Sequence, residues 1–154
     1  MGENHSKNEI HQYLEKESTG ILATHDPKTR LLRQRVMYYG VDKQFDCYLM
    51  STKDSPKVSQ ILESSDISFL IFGVEEPYDD SWEMELNGHA TLLTEKKDIQ
   101  NALKWLHDRN PFADVAEASG VTDPFDFIKL IPKVLRFRIY KEALSGQDAT
   151  VIQL

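Results

Sequence analysis

Strand-like segments joined by very short connections are the feature that most constrains the fold of this chain. Side chains in LLRQRVMYYGV, residues 31–41, alternate between two faces, and FDCYLMS, residues 45–51, follows a connection that suits an antiparallel hairpin. Further strands are predicted at GILATH, ISFLIFGV, WEMELNGHATLL, KVLRFRIYKEAL and ATVIQL. Six or seven strands with short connections and peripheral helices predict a small, mainly antiparallel α+β barrel.

Helix signals fall between these strands, and no domain linker interrupts them. Ser6 and Glu9 form a capping box for a first helix, and Thr94 is the predicted cap of a helix that runs to about Arg109. Gly88 interrupts the strand around it and predicts a bulge or a close backbone approach. We therefore predict one domain over residues 1–154, with a helix over 6–18, a barrel core over 20–93, a helical segment over 95–131 and last strands over 133–153.

The composition limits the classes of binding partner and the cellular compartments that suit this chain. The chain has 25 acidic and 18 basic residues and a net charge of −7, which argues against nucleic acid or an anionic membrane as its main partner. Cys47 is the single cysteine, so the sequence has no zinc-binding pattern and favours a reducing compartment. The first residues, MGENHSKNEIHQ, lack the apolar core of a signal peptide, and no apolar run approaches membrane-spanning length. We expect a soluble cytoplasmic protein.

The segment STKDSPK, residues 51–57, gathers hydroxyl and ammonium groups where a strand passes into a helix. Ser55 is a favoured N-cap and Pro56 suits the first helical position, so the positive end of the helix lies over the loop. Lys57 in the first turn opposes that dipole at a cost of roughly 0.3–1 kcal/mol, and a bound phosphate would reverse the sign of the interaction. The segment is therefore either a phosphate site or an ordinary capped helix on a polar loop.

Arg35 is a second cation that favours the phosphate alternative. It lies in the middle of its strand, and the predicted hairpin brings it towards Ser51. The hydroxyls of Ser51 and Thr52 can donate to the same anion as Arg35. An arginine in mid-strand is also typical of a solvated or ion-paired sheet face, so both readings stay open.

Four segments, in order and in spacing, resemble the FMN-binding split β-barrels related to pyridoxamine 5′-phosphate oxidase: LRQRVMYYGV, CYLMSTKDSPKVSQIL, SDISFLIF and ELNGHATLL. The resemblance covers residues 20 to about 93. It implies a six-stranded antiparallel split barrel that works as a homodimer with two FMN sites at the subunit interface. The C-terminal segment has no tryptophan and does not match the substrate-binding end of the true oxidases, so the general-stress-protein branch is more similar.

The resemblance assigns cofactor-binding roles by position. Arg35 matches the arginine that opens the flavin-contacting strand, and the two residues after it offer backbone groups to the isoalloxazine ring. Ser51, Ser55 and Lys57 match the phosphate ligands. The implied cofactor-binding residues are Arg35, Val36, Met37, Met50, Ser51, Thr52, Ser55, Pro56, Lys57, Trp82 and Glu83.

Three of these positions depart from the oxidase pattern or allow a second role. Pro56 stands where the oxidases often carry a second basic residue, so one phosphate contact is missing. Glu83 stands where they carry a glutamine from the other subunit, and an ionised carboxylate cannot donate to the flavin. Trp82 either stacks on the flavin of the partner subunit or serves as a core or interface residue.

The implied function is an FMN-dependent oxidoreductase that takes electrons from a small-molecule substrate or donor, with the flavin supplying the chemistry. No Ser-His-Asp or Cys-His arrangement follows from the spacing, so catalytic residues are unassigned. The alternatives are a flavin-binding stress or sensor protein without turnover, and a haem-binding relative in which His89 ligates iron. The phosphate cradle suits a deazaflavin as well as FMN.

Overall fold

A computed structural model describes residues 5–154, so the first four residues of the polar N-terminus lie outside the described residues. Its strands are β1 (Thr19–Asp26), β2 (Leu31–Tyr38), β3 (Gly40–Val41), β4 (Cys47–Thr52), β5 (Asp66–Gly73), β6 (Trp82–Leu93), β7 (Phe125–Ile139) and β8 (Thr150–Gln153). Its helices are α1 (Lys7–Lys16), α2 (Pro56–Glu63), α3 (Lys96–Leu106), α4 (Pro111–Ser119) and α5 (Tyr140–Leu144), with a 3₁₀ turn at Tyr78–Asp80.

The strands form one sheet in the order β2-β1-β5-β6-β7-β4-β3, with β8 added beside β7. Every pairing is antiparallel, which confirms the mainly antiparallel fold predicted from the short connections. The sheet has eight strands rather than six, partly because the predicted strand over residues 31–41 divides at Tyr39. The Tyr39 N–H donates to the Ser18 carbonyl instead of to a neighbouring strand, and its side chain is fully buried.

The longest strand, β7, corrects the prediction for the C-terminal third. Residues 95–131 are not all helical and the last long strand is not 133–144, because β7 begins at Phe125 and ends at Ile139, where α5 follows. Proline inside a strand usually interrupts it, but Pro132 lies opposite Gly88, where the register shifts and a missing N–H is tolerated. Since β7 pairs with β4, β6 and β8, the barrel core is not confined to residues 20–93.

The structure has both a bulge and a close backbone approach at Gly88, the two alternatives that the sequence predicted. The β6–β7 register shifts between Asn87 and Gly88, and a Cβ atom on Gly88 would lie 2.1 Å from the Ile131 carbonyl oxygen. A side chain therefore has no room at this position.

The helix caps are partly as predicted. Ser6 Oγ accepts a hydrogen bond of 3.2 Å from the Glu9 N–H, which confirms the cap of α1. Helix α3 is capped by Glu95 rather than Thr94, and it ends before Arg109. The Arg109 guanidinium instead donates to carbonyls at the C-terminus of α1, including that of Glu17, and so ties α1 to the α3–α4 connection.

Two hydrophobic clusters hold the elements in place. The larger one fills the inside of the sheet and receives Ile10 and Leu14 from α1. The smaller one lies between the sheet and helices α3 and α4, and it includes Met50. Because β4 is buried against both clusters, its C-terminal end is fixed next to the start of α2. Within residues 5–154 we find no helix with the length and apolar character needed to cross a membrane.

Candidate functional site

The start of helix α2 has the backbone that the sequence predicts, with Ser55 as N-cap and Pro56 in the first turn. The Ser55 hydroxyl, however, accepts no capping hydrogen bond from the helix. The Lys57 backbone N–H also has no acceptor among residues 5–154. The first turn of α2 thus keeps a hydroxyl and a backbone N–H available for an anion.

The side chains of Ser51, Ser55 and Lys57 converge into a polar cluster. Lys57 Nζ donates to Ser51 Oγ at 3.0 Å and to Ser55 Oγ at 3.2 Å, and the two hydroxyl oxygens lie 2.9 Å apart. Both serines are buried. Two hydroxyls and an ammonium group at one helix N-terminus are groups that typically bind a phosphate.

The cluster carries a positive charge that the chain does not neutralise. Partial burial lowers the pKa of Lys57, and the nearby charge of Arg35 lowers it further. In the part of the chain that the structure describes, no carboxylate forms an ion pair with either cation. An anion bound here would therefore be stabilised by charge-assisted hydrogen bonds.

Arg35 lies beside the cluster but not against Ser51, where the hairpin argument placed it. Its guanidinium donates to the Leu22 carbonyl at 3.2 Å, to Thr24 Oγ1 at 2.7 Å and to Gln60 Oε1 at 3.2 Å. Burial lowers the pKa of Arg35, and Arg33 adds to that effect. Arg35 thus acts on the cluster as a neighbouring charge held by β1 and α2.

A cavity of about 300 Å³ opens next to the cluster. It lies where the two ends of the sheet approach each other, because β2 and the end of β4 form opposite walls. Its lining residues are Val36, Met37, Tyr38, Met50, Ser51, Thr52, Lys57, Asn110, Phe112 and Phe125. Six residues that the resemblance assigned to cofactor binding, distant in sequence, therefore line one cavity.

Sequence reasoning missed the third wall, which comes from the start of α4 and the start of β7. Asn110, Phe112 and Phe125 line the cavity from this side. The signal for α4 was present, since Asn110-Pro111 repeats the cap-then-proline pattern of the α2 start. The approach of this helix to β4 is a tertiary contact and has no local signal.

Of the two alternatives for Trp82, the structure agrees with the core residue and not with a residue that stacks on a flavin. Trp82 is fully buried and packs against Tyr13 and Phe137, because β6 alternates its side chains and turns this face inward. Pro56 also falls outside the cavity and lines a separate surface pocket with Asp26 and Lys28.

Glu83 and His89 lie away from the cavity. Glu83 is half-buried opposite Arg138 and lines a different pocket of about 350 Å³ on the outer face of the sheet. A contact from Glu83 to the flavin of another subunit stays a prediction. His89 pairs with Asp66 at 3.0 Å, and no histidine lines the cavity among the described residues.

No protein-family model and no curated protein matches this sequence. Solved structures match in fold: the conserved hypothetical protein Rv2991 from Mycobacterium tuberculosis has a TM-score of 0.75 at 19% identity, over 90% of this chain and 88% of that one. A Clostridium acetobutylicum protein related to general stress protein 26, of the pyridoxinephosphate oxidase family, has a TM-score of 0.71 at 11% identity, over 96% and 93%. A heme binding protein from Mycobacterium smegmatis has a TM-score of 0.72 at 15% identity, over 97% and 63%.

These likenesses show the fold. The chain has the split β-barrel of the pyridoxamine 5′-phosphate oxidase-like and general stress protein structures, as the resemblance implied. Because the neighbours also include a heme binding protein, the fold leaves the ligand to be argued from the cavity itself.

Proposed function

We propose that this chain is an FMN-binding flavoprotein with oxidoreductase activity of the pyridoxamine 5′-phosphate oxidase type, acting on a substrate that is not assigned. The observation that carries the proposal is the single cavity that joins the Ser51–Ser55–Lys57 cluster to the exposed end of β2. A phosphate group and a planar ring are the two chemical groups that such a cavity accommodates.

The polar end fits a phosphate monoester. The hydroxyls of Ser51, Ser55 and Thr52, the Lys57 ammonium and the free Lys57 N–H are all donors. Arg35 adds a second positive charge without an opposing carboxylate. These donors match the hard, anionic oxygens of FMN better than those of a neutral ligand.

The rest of the cavity fits a flat, largely apolar ring. Met37 and Met50 are buried in its floor, and Phe112 and Phe125 supply aromatic surface on the α4 side. When bound, FMN would supply hydride or electron transfer. The chain itself would bind and orient the cofactor and limit the access of water to one face.

The proposed homodimer would complete the site. The rim residues Val36 and Phe112 are 69% and 62% exposed, so one side of the cavity is open in a single chain. A second subunit would cover this side, and Glu83 is our candidate for the residue that it brings. Because ligand pockets bury most of the surface of the ligand, an open side would leave a bound cofactor incompletely covered.

A flavin-binding protein without turnover is the second candidate, and a specific observation favours it. The cavity lining, within residues 5–154, contains Lys57 and Tyr38 but neither a carboxylate nor an imidazole that could move a proton. Oxidation of reduced nicotinamide nucleotides by the FMN-loaded protein, above the rate of free FMN, separates the oxidoreductase from the storage or sensor protein.

An absorbance spectrum of freshly purified protein, repeated after FMN addition and desalting, tests the proposal. Flavin bands that survive desalting support it. A protein that retains no added FMN refutes it and returns the segment over residues 51–57 to an ordinary capped helix. A Soret band would instead assign the site to haem, and retention of a deazaflavin in preference to FMN would change the cofactor.

A further inference from the structure

We propose that Asn110 is a further cofactor-binding residue, whose side-chain Nδ2 donates a hydrogen bond to an oxygen of FMN outside its phosphate. The inference rests on the function proposed above and adds a residue that the resemblance does not assign. Asn110 lines the cavity together with Ser51 and Lys57, although it comes from the start of α4.

Of the two polar atoms in the side-chain amide of Asn110, only Oδ1 has hydrogen-bond partners among residues 5–154. Its Oδ1 accepts hydrogen bonds from the N–H groups of Phe112 at 2.9 Å and Ala113 at 3.3 Å. Its Nδ2 has no acceptor among residues 5–154, yet the residue is only 3% exposed. The single fully enclosed polar side-chain atom without a partner in that range is Trp82 Nε1, so Asn110 Nδ2 is not fully enclosed, and the residue that carries it lines the cavity.

No other donor is available on this wall. Pro111 has no N–H, the next two N–H groups bond to Asn110 Oδ1, and the Asp114 N–H donates to the Asn110 carbonyl at 3.1 Å. Helix capping therefore accounts for the hydrogen bonds of Oδ1 and of the backbone groups, but it gives Nδ2 no role. The Nδ2 group has no protein acceptor within residues 5–154, so it is available to a ligand oxygen in the cavity.

The acceptor belongs to the uncharged part of the cofactor. The cationic and hydroxyl donors for the phosphate all lie at the α2 end of the cavity, in the cluster around Lys57. A neutral amide pairs with a carbonyl or hydroxyl oxygen, and Phe112 and Phe125 on the same wall supply the apolar surface that a flavin ring requires.

The test uses Asn110→Ser and Asn110→Asp, since serine and aspartate both preserve an N-cap acceptor and remove the amide Nδ2. Aspartate leaves no donor when ionised, whereas serine keeps a hydroxyl donor on a shorter side chain. Dissociation constants for FMN and riboflavin are measured by fluorescence titration. We expect Asn110→Ser to weaken the binding of both ligands about 3- to 10-fold, the range for one neutral hydrogen bond. Asn110→Asp should weaken the binding of both ligands by at least the same factor. Lys57→Ala should lose affinity for FMN but not for riboflavin, which has no phosphate.

Asn101→Ser is the matched control. Asn101 donates to Tyr48 at 3.3 Å from the neighbouring helix α3 and lines a different pocket, so its replacement should leave both affinities unchanged. Unfolding temperatures within a few degrees of the parent protein establish that the cap is intact, and Asn110→Asp decides the question if Asn110→Ser does not fold.

The outcomes distinguish the two proposals. If the parent protein binds FMN and both Asn110 variants bind it equally well, the Asn110 inference is overturned and the proposed function stands. If Asn110→Ser weakens FMN but not riboflavin, the assignment to the uncharged part is overturned. If the parent protein does not bind FMN, the proposed function fails and this inference fails with it.

Discussion

The guanidinium of Arg35 donates a hydrogen bond of 3.2 Å to the side-chain Oε1 of Gln60, which joins the end strand β2 to helix α2. The same oxygen accepts a hydrogen bond of 2.6 Å from the Thr24 hydroxyl, and Gln60 is buried. One amide oxygen thus fixes Arg35, the second cation of the proposed phosphate site, relative to the helix that carries Lys57, the first.

We expect Gln60→Leu to lower the free energy of unfolding by about 1–3 kcal/mol, because buried donors on Thr24 and Arg35 lose their acceptor. Urea denaturation measures the change. Ser59→Ala, at an exposed position of the same helix, is the control and should change stability by less than about 0.5 kcal/mol. A similarly small effect for Gln60→Leu would mean that this network does not hold Arg35.

Lys57→Ala should weaken FMN binding by about 1.5–3 kcal/mol, the range for a hydrogen bond to a charged group. Lys53→Ala is the matched control, since Lys53 belongs to the same segment but its ammonium donates to the Asp123 carbonyl on the surface. Flavin fluorescence titration of both variants gives the comparison. Equal affinities for the two variants would remove Lys57 from the cofactor site.

The sequence predicted those parts of the site that are set by local chemistry. Ser55 and Pro56 start α2 where their backbone preferences place them, and β2 and β4 form within the segments that the strand pattern predicted. These are properties of a residue and its near neighbours. They sufficed to place one wall of the cavity and its polar end.

The remaining parts depend on contacts between distant segments. Pro132 reads locally as a strand breaker, and only its pairing with Gly88 at the bulge makes it compatible with β7. Asn110 reaches the cavity because α4 packs on β4, and periodicity reveals no such neighbour. Side chains alternate along β6, which places Trp82 on the face that turns inward. How deeply that face is buried depends on the packing of α1 and β7 against it.

Gly88→Ala should destabilise the fold by about 2–3 kcal/mol, in the upper part of the range for overpacking. A Cβ atom there meets backbone on the adjacent strand, 2.1 Å from the Ile131 oxygen and 2.7 Å from Pro132 Cα. Gly120→Ala is the comparison, because that glycine has a φ of +71° but open space around it, so only backbone strain of about 1 kcal/mol applies. A smaller loss for Gly88→Ala than for Gly120→Ala, in thermal or urea unfolding, would contradict the steric argument.

His5 should make stability depend on pH. Burial alone would lower its pKa, but hydrogen bonds to Glu142 at 2.8 Å and to Glu9 at 3.0 Å outweigh this and raise the pKa above its ordinary value of 6.5. A raised pKa in the folded state stabilises the fold below about pH 6.5, and the stabilisation is lost as the pH rises through the folded-state pKa.

The unfolding temperature of the parent protein should therefore exceed that of His5→Gln by more at pH 5.5 than at pH 8.5. The corresponding free energy is about 0.5–1 kcal/mol, because the ion pairs are partly exposed. In a Glu142→Gln background this pH-dependent difference should shrink. A difference that is equal at both pH values would mean that His5 contributes by packing on Phe137 alone.

The chain should form a homodimer through the outward face of β2. Leu32 and Val36 on this strand are 75% and 69% exposed, and Val36 also lies on the open rim of the cavity that a second subunit would cover. Sedimentation velocity should show a dimer that carries FMN absorbance, and Leu32→Asp should shift it towards the monomer with loss of FMN, because a charge would be buried at the interface. Leu144→Asp, at a 76% exposed position on α5, should leave both properties unchanged. A monomer that retains FMN with parent affinity would show that one subunit forms the complete site.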